Sequence, residues 1–146
     1  MKIVSIGLGA FILSCLATAT PALADRVQFP ICGNGKRITC VVDGDTIWLR
    51  GTKIRLEGID TPEIGGARCE DELARGVRAQ RRLQALLNAG DFVLIRAGNR
   101  DRDRYGRKLR TMRIRGADVA ETLISEGLAK RWTGTKAVWC PRNSTD

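Results

Sequence analysis

Between Arg37 and Ile59 the chain carries three short β-prone runs separated by turns that leave room for little but antiparallel neighbours. Arg37–Asp43 alternates weakly and is rich in Ile38, Thr39, Val41 and Val42. Asp43-Gly44-Asp45 is a turn, and Thr46–Arg50 alternates again with Ile47 and Leu49 on one face. Gly51-Thr52 is a second tight turn into Lys53–Ile59. There Ile54, Leu56 and Gly58 share one face, and Arg55, Glu57 and Ile59 share the other. Pro62 ends this run, because proline cannot continue a ladder and restricts Thr61 before it. The three runs predict an antiparallel meander whose last strand delivers Asp60 and Glu63 to a strand end.

After a glycine-containing loop at Ile64–Arg68, Glu70–Asn88 is the best helix in the chain. Glu70, Asp71 and Glu72 suit its positive N-terminus, and Leu73, Val77, Leu83, Leu86 and Leu87 can form its apolar stripe. Gly76 weakens it by roughly 1 kcal/mol relative to alanine. Phe92–Arg96 and Lys108–Arg115 read as two further strands. In the second, Leu109, Thr111 and Arg113 oppose Arg110, Met112 and Ile114. Val119–Glu126 is a short helix closed by Gly127. The order β-β-β-α-β-β-α predicts an α+β domain. Five short strands with a helix between the third and fourth suggest a small closed Greek-key barrel of the OB type.

Residues 1–24 read as a signal peptide: Lys2, an apolar run from Ile3 to Leu16, then Ala22-Leu23-Ala24 before Asp25. A lipoprotein anchor at Cys15 is the competing reading, but Leu13 stands where a lipobox has a small residue. The remainder divides into an entry segment (25–38), one domain (39–132) and a C-terminal tail (133–146). Removing the leader takes only Lys2 from a net charge of +9, leaving 24 basic against 16 acidic residues. That excess attracts polyanions, nucleic acid foremost. Four cysteines remain in the exported chain, so disulfides are expected. Three connectivities exist. Cys32 and Cys40 bracket the turn Gly33-Asn34-Gly35, which suits a local bridge and would leave Cys69 with Cys140.

The chain has no histidine, which excludes Ser-His-Asp and Cys-His nucleophiles and the two-histidine zinc motif. An enzyme built from this chain must use carboxylates, arginines, lysines or a metal. Asp45 and Asp60, at neighbouring strand ends, are hard oxygen ligands suited to Ca²⁺. Glu63 follows Asp60 closely enough to hold a water. Arg55 and Arg107 carry the forked donors that match phosphate oxygens. Singly, each motif is an ordinary turn or a solvated charge; together they are not.

Val42-Asp43-Gly44-Asp45-Thr46, then Ile54-Arg55-Leu56 with Ile59-Asp60-Thr61-Pro62-Glu63, then Asp103-Arg104-Tyr105-Gly106-Arg107, resemble in this order the thermonuclease (staphylococcal nuclease-like) family. Gly127-Leu128-Ala129-Lys130 adds to the likeness, which covers about residues 39–130. The resemblance implies a five-stranded OB barrel and an exported, periplasmic or secreted, calcium-dependent phosphodiesterase acting on DNA and RNA. Such an enzyme would leave 3′-phosphates. It implies Asp45 and Asp60 as calcium ligands with the Thr61 carbonyl, Glu63 as general base, and Arg55 and Arg107 as phosphate ligands. Asp43 and Tyr105 would support the site, and Glu57 has no matching role. We expect a monomer with no membrane association once the leader is removed. A non-catalytic nucleic-acid-binding OB module is the alternative. Two features depart from the family. The loop after Glu63 carries only Arg68 where the best-known members have a longer lysine-rich loop, and Trp132 follows Lys130-Arg131 where they carry tyrosines. Trp132 and Trp139 are read as core or tail-docking residues.

Overall fold

A computed structural model describes residues 27–141. The leader at 1–24, Cys15, and the tail beyond residue 141 lie outside the described residues. Ten elements follow in chain order: β1 (Cys40–Val41), β2 (Thr46–Leu49), β3 (Thr52–Leu56), β4 (Ile59–Asp60), α1 (Glu70–Ala89), β5 (Phe92–Arg96), β6 (Lys108–Ile114), β7 (Ala117–Asp118), α2 (Val119–Ser125) and β8 (Lys130–Arg131). The five expected strands are β1, β2, β3, β5 and β6; β4, β7 and β8 are two-residue additions.

The main sheet runs β1-β2-β3-β6-β5, with β7 beside β6. β1 to β3 form the expected antiparallel meander. Arg50 and Gly51 are both left-handed (φ 47° and 78°), as a two-residue hairpin demands, so this turn sits one residue earlier than its sequence suggests. β3 and β6 are parallel, and the chain returns between them through α1 and β5. The OB-like arrangement is open, which corrects the expected closed barrel. Val41 directs its main-chain groups at the entry segment instead of β5: its N–H donates to Pro30 (2.9 Å) and its carbonyl accepts from Cys32 (2.9 Å). The same competition shortens the expected Arg37–Asp43 strand to two residues.

The core includes Val41, Ile47, Ile54 and Leu56 from the meander, Met112 and Ile114 from β6, Leu83 and Leu87 from α1, and Val119 and Leu123 from α2. Phe29, in a segment with little sequence signal, is fully buried. Its carbonyl accepts from Gln84 and Asn88, and its ring meets Phe92 edge to face at 5.5 Å. Ile59, expected opposite Ile54 and Leu56, joins the same core, because Gly58 is left-handed (φ 83°) and turns the chain between β3 and β4.

The expected helix stripe holds at Leu83, Leu86 and Leu87 and needs correction in its N-terminal half. α1 buries Glu72, Gly76, Ala79, Leu83 and Leu87, whereas Leu73 is 42% exposed. These residues recur every three or four positions, so the period is helical; the face is set by small residues that let α1 approach the loops beside it. The N-cap of α1 is Cys69, whose Sγ accepts from the Glu72 N–H. α2 is capped by Asp118, which accepts from Ala120 and Glu121, and Gly127 (φ 70°) ends it as expected. Disulfides join Cys32 to Cys40 and Cys69 to Cys140. No helix among the described residues is long and apolar enough to cross a membrane.

Candidate active site

Asp45 immediately precedes β2, and β2 pairs with β3 so that Thr46 faces Arg55. That register sets the Arg55 guanidinium against the Asp45 carboxylate, Nη2 to Oδ2 at 3.1 Å. The same guanidinium donates to the carbonyls of Leu56 (3.3 Å) and Ile59 (3.0 Å). Arg55 therefore braces the turn that carries the chain to Asp60. Asp43 accepts the Asp45 N–H at 3.1 Å, and the Thr46 hydroxyl donates to Asp45 Oδ1 at 2.7 Å. Burial pushes the Asp45 carboxyl up to about 7, the Asp43 charge adds to the rise, and Arg55 opposes it. Asp43 is raised as well, again chiefly by burial.

Two glycines seat these loops on α1. A Cβ on Gly44 would lie 2.6 Å from Ala79 Cβ and 2.9 Å from Thr61 Cγ2. A Cβ on Gly76 would lie 2.8 Å from both the Pro62 and Glu63 carbonyl oxygens. Side chains at either position would push the Asp45 and Glu63 loops off the helix. Gln80 adds a 2.7 Å hydrogen bond to the Val42 carbonyl. The helix that looked merely weakened by Gly76 is the surface on which the site is built.

Arg107 closes the opposite side. Asp103 organises its turn, accepting from the N–H groups of Tyr105 (2.9 Å) and Arg107 (3.0 Å) and from Arg107 Nε (2.6 Å). Burial would raise the Asp103 carboxyl, but the Arg107 hydrogen bonds outweigh it and hold it below the usual range. Tyr105 is exposed, with the Arg104 and Arg107 guanidinium groups 4.8 and 5.5 Å from its ring centre.

One open cavity of about 870 Å³ is lined by Asp43, Asp45, Arg55, Asp60, Thr61, Glu63, Tyr105 and Arg107. The sequence-derived candidates, other than the cysteines, thus meet in one place. The Cys32–Cys40 bridge closes the entry loop, and neither bridge lines the cavity. Glu72 lies within reach of Cys69 and Cys140, but those sulfurs are bonded to each other and offer no thiolate to a metal.

The structure adds residues that sequence reasoning passed over. Lys136, from the tail, is ion-paired with Glu63. Asp60 Oδ2 accepts from the Ala137 N–H (3.0 Å) and from Trp139 Nε1 (3.2 Å). Trp139 is a tail-docking residue, buried beneath Lys130, whose Nζ lies 4.4 Å from its ring centre. Trp132 lines the cavity, half exposed, with Arg55 at 5.4 Å from its ring centre. Lys53, Arg100 and Arg104 add basic lining. Glu57, which has no matching role in the family pattern, also lines it, and its Oε2 is buried with no hydrogen-bond partner among the described residues. One signal could have located the tail. A Cys69–Cys140 bridge forces residues just before 140 to lie near the loop leaving Glu63.

Comparison with known proteins places this architecture. The staphylococcal nuclease homologue family matches residues 53–140, more than half of the chain, and the chain belongs to that family. It is 33% identical over 116 residues to Endonuclease YhcR of Bacillus subtilis (strain 168), covering 73% of this chain and 9% of that one. It is 37% identical over 94 residues to Endonuclease YncB of the same strain, covering 61% of this chain and 44% of the relative. It is 32% identical over 144 residues to Succinoglycan biosynthesis protein ExoI of Rhizobium meliloti (strain 1021), covering 94% of this chain and 70% of that one. The chain thus spans a small part of YhcR and less than half of YncB. The endonuclease names belong to those two relatives, and what this chain shares with them is the staphylococcal nuclease homologue domain.

Proposed function

We propose that this chain is an exported, calcium-dependent nuclease that hydrolyses phosphodiester bonds in DNA and RNA and leaves 3′-phosphates. The observation that carries this reading is the convergence of Asp45, Asp60, Thr61, Glu63, Arg55 and Arg107 on one cavity. The two endonuclease-named relatives support it.

The donor set fits a hard cation. Asp45 and Asp60 are buried carboxylates, and the Asp45 carboxyl, desolvated and crowded by Asp43, has much to gain from a positive ion. Asp45, Asp60 and the Thr61 carbonyl would hold calcium, whose chemistry is Lewis-acid stabilisation of charge on phosphate oxygens. Arg55 and Arg107 are well suited to the phosphate. Both line the cavity, their side chains are 13% and 21% exposed, and each is fixed by a carboxylate. Glu63 is the residue that takes the proton of the attacking water, a contribution of about 10²–10⁴ in rate. The two disulfides suit an oxidising compartment, in keeping with residues 1–24 as an export signal.

Digestion of supercoiled plasmid by the purified protein tests the reading, with calcium, with a chelator, and with Glu63→Gln. Cleavage should require calcium and fall by on the order of 10² or more in Glu63→Gln. DNA binding with no cleavage above the Glu63→Gln control would falsify the enzyme reading and favour a nucleic-acid-binding module.

A further inference from the structure

We infer that Lys136 is a third phosphate-binding cation, delivered to the site by the disulfide-pinned tail and exchanged between Glu63 and the substrate. The inference rests on the nuclease reading of the cavity and names a residue that this reading does not include.

Three features carry it. First, Lys136 lines the cavity that holds Arg55 and Arg107 and is ion-paired with Glu63. Second, its backbone is anchored while its side chain is not. Ala137 and Trp139 both hydrogen-bond Asp60, Lys130 Nζ donates to the Val138 carbonyl at 3.0 Å, and Cys140 is bonded to Cys69. The Lys136 side chain is 65% exposed and that of Glu63 36%. An ion pair this open is weak, so a phosphate can replace the carboxylate at little cost. Arg55 and Arg107 have no such freedom, since each is fixed by a carboxylate at low exposure. Third, the loop after Glu63 reaches α1 with Arg68 as its one basic residue. A lysine at the cavity edge beside Glu63 comes instead from the other end of the chain.

The consequence is a coupled exchange. An incoming phosphodiester draws Lys136 away from Glu63, and the carboxylate is released to hold a water. No bond is made or broken in this step, and charge is conserved, because Lys136 trades one anion for another.

The experiment uses the full exported protein and a fluorescein-labelled single-stranded oligonucleotide. Binding is followed in chelator, so that nothing is cut, across a range of salt concentrations. Lys136→Met should weaken binding about 10-fold and lower the salt slope by about 0.7, the counterion equivalent of one single-strand phosphate. Lys136→Arg should restore both. In calcium, Lys136→Met should raise KM about 10-fold and change kcat by less than about threefold. Cys140→Ser should reproduce the KM defect, and adding Lys136→Met to it should add little. An unchanged salt slope with a lowered kcat would overturn the inference, since Lys136 would then position Glu63 without touching phosphate. Full additivity of the two substitutions would also overturn it, by showing that the tether does not deliver the lysine. Failure of the nuclease reading is separable. The wild-type protein would then cut nothing in calcium, while the binding slopes would still decide whether Lys136 meets a phosphate.

Discussion

The two sides of the cavity are held by different physics. Asp45, Arg55 and Asp60 are placed by strand register, by the turn at Gly58 and by the close seat on α1. Lys136, Ala137 and Trp139 have no regular element under them and are placed by one cross-link and a few hydrogen bonds to Asp60. The sheet-held side is a consequence of folding; the tail-held side also requires oxidation. Geometry fixed by a ladder cannot slip without losing the whole register. Geometry fixed by a single long-range bond can be lost while the rest of the fold stays intact.

Removing the bridges should separate the two sides with the largest effect. Cys69–Cys140 closes a separation of 71 residues and Cys32–Cys40 one of 8. Chain-entropy reasoning gives about 4 kcal/mol for the first and about 2.5 kcal/mol for the second. Urea unfolding of Cys69→Ser/Cys140→Ser and Cys32→Ser/Cys40→Ser variants measures both. The long bridge should also affect plasmid cleavage, because its end of the chain carries Lys136; the short one should leave cleavage unchanged. Equal effects on cleavage would erase the distinction between the two sides.

The same division decides what was legible in the sequence. Asp45, Arg55, Asp60 and Glu63 lie within 19 positions of one another, where short-range alternation and turn chemistry fix geometry. Arg107 is remote in sequence, and it joins them through its phosphate-matching chemistry and the family pattern instead of through local geometry. Lys136 has no local signal: it is one lysine in an irregular tail, and its place depends on which cysteines pair. The closed barrel failed for a related reason, since Pro30 and Cys32 occupy the edge that β5 would have taken, and nothing local announces an entry segment as a strand competitor. The helix stripe holds at Leu83, Leu86 and Leu87 but misses at Leu73, because periodicity weighs that residue as apolar and cannot see that Gly76 and Ala79 face loops needing close approach.

Gly76→Ala sharpens the account of the sheet-held side. Helix propensity alone says that alanine stabilises α1 by roughly 1 kcal/mol. The 2.8 Å approach of its Cβ to two backbone oxygens says the opposite, because carbonyls of Pro62 and Glu63 cannot rotate away like a flexible side chain. Overpacking of this kind costs about 1–3 kcal/mol, so the expected net change is a loss of up to about 2 kcal/mol. Thermal or urea unfolding gives the sign directly. A stabilised Gly76→Ala protein would mean that the Glu63 loop is not seated as described, and its cleavage rate should then be normal.

Glu72 lies where the two sides meet, and it carries the smallest of these effects. It is buried on α1, accepts the Arg68 N–H at 2.8 Å, and sits 3.6 Å from Cys140 Sγ. Burial would raise its carboxyl, but the main-chain groups of Arg68 and Glu63 and the Arg68 guanidinium together hold it below its ordinary 4.5. A carboxyl lowered on folding stabilises the native state in its ionised form. That contribution is complete above the ordinary value and is lost as pH falls through the lowered one. Glu72→Gln keeps an acceptor for Arg68 and removes the charge, so at neutral pH it should destabilise by about 1 kcal/mol. The gap between wild type and Glu72→Gln, measured by urea unfolding from pH 7 downward, should hold steady to about pH 5 and then close. A gap that widened on acidification would mean that burial wins at Glu72. The loop between Glu63 and the cross-link would then be held by the Cys69–Cys140 bridge alone, and the comparison between the two sides would have to be redrawn with that loop on the side of the tail.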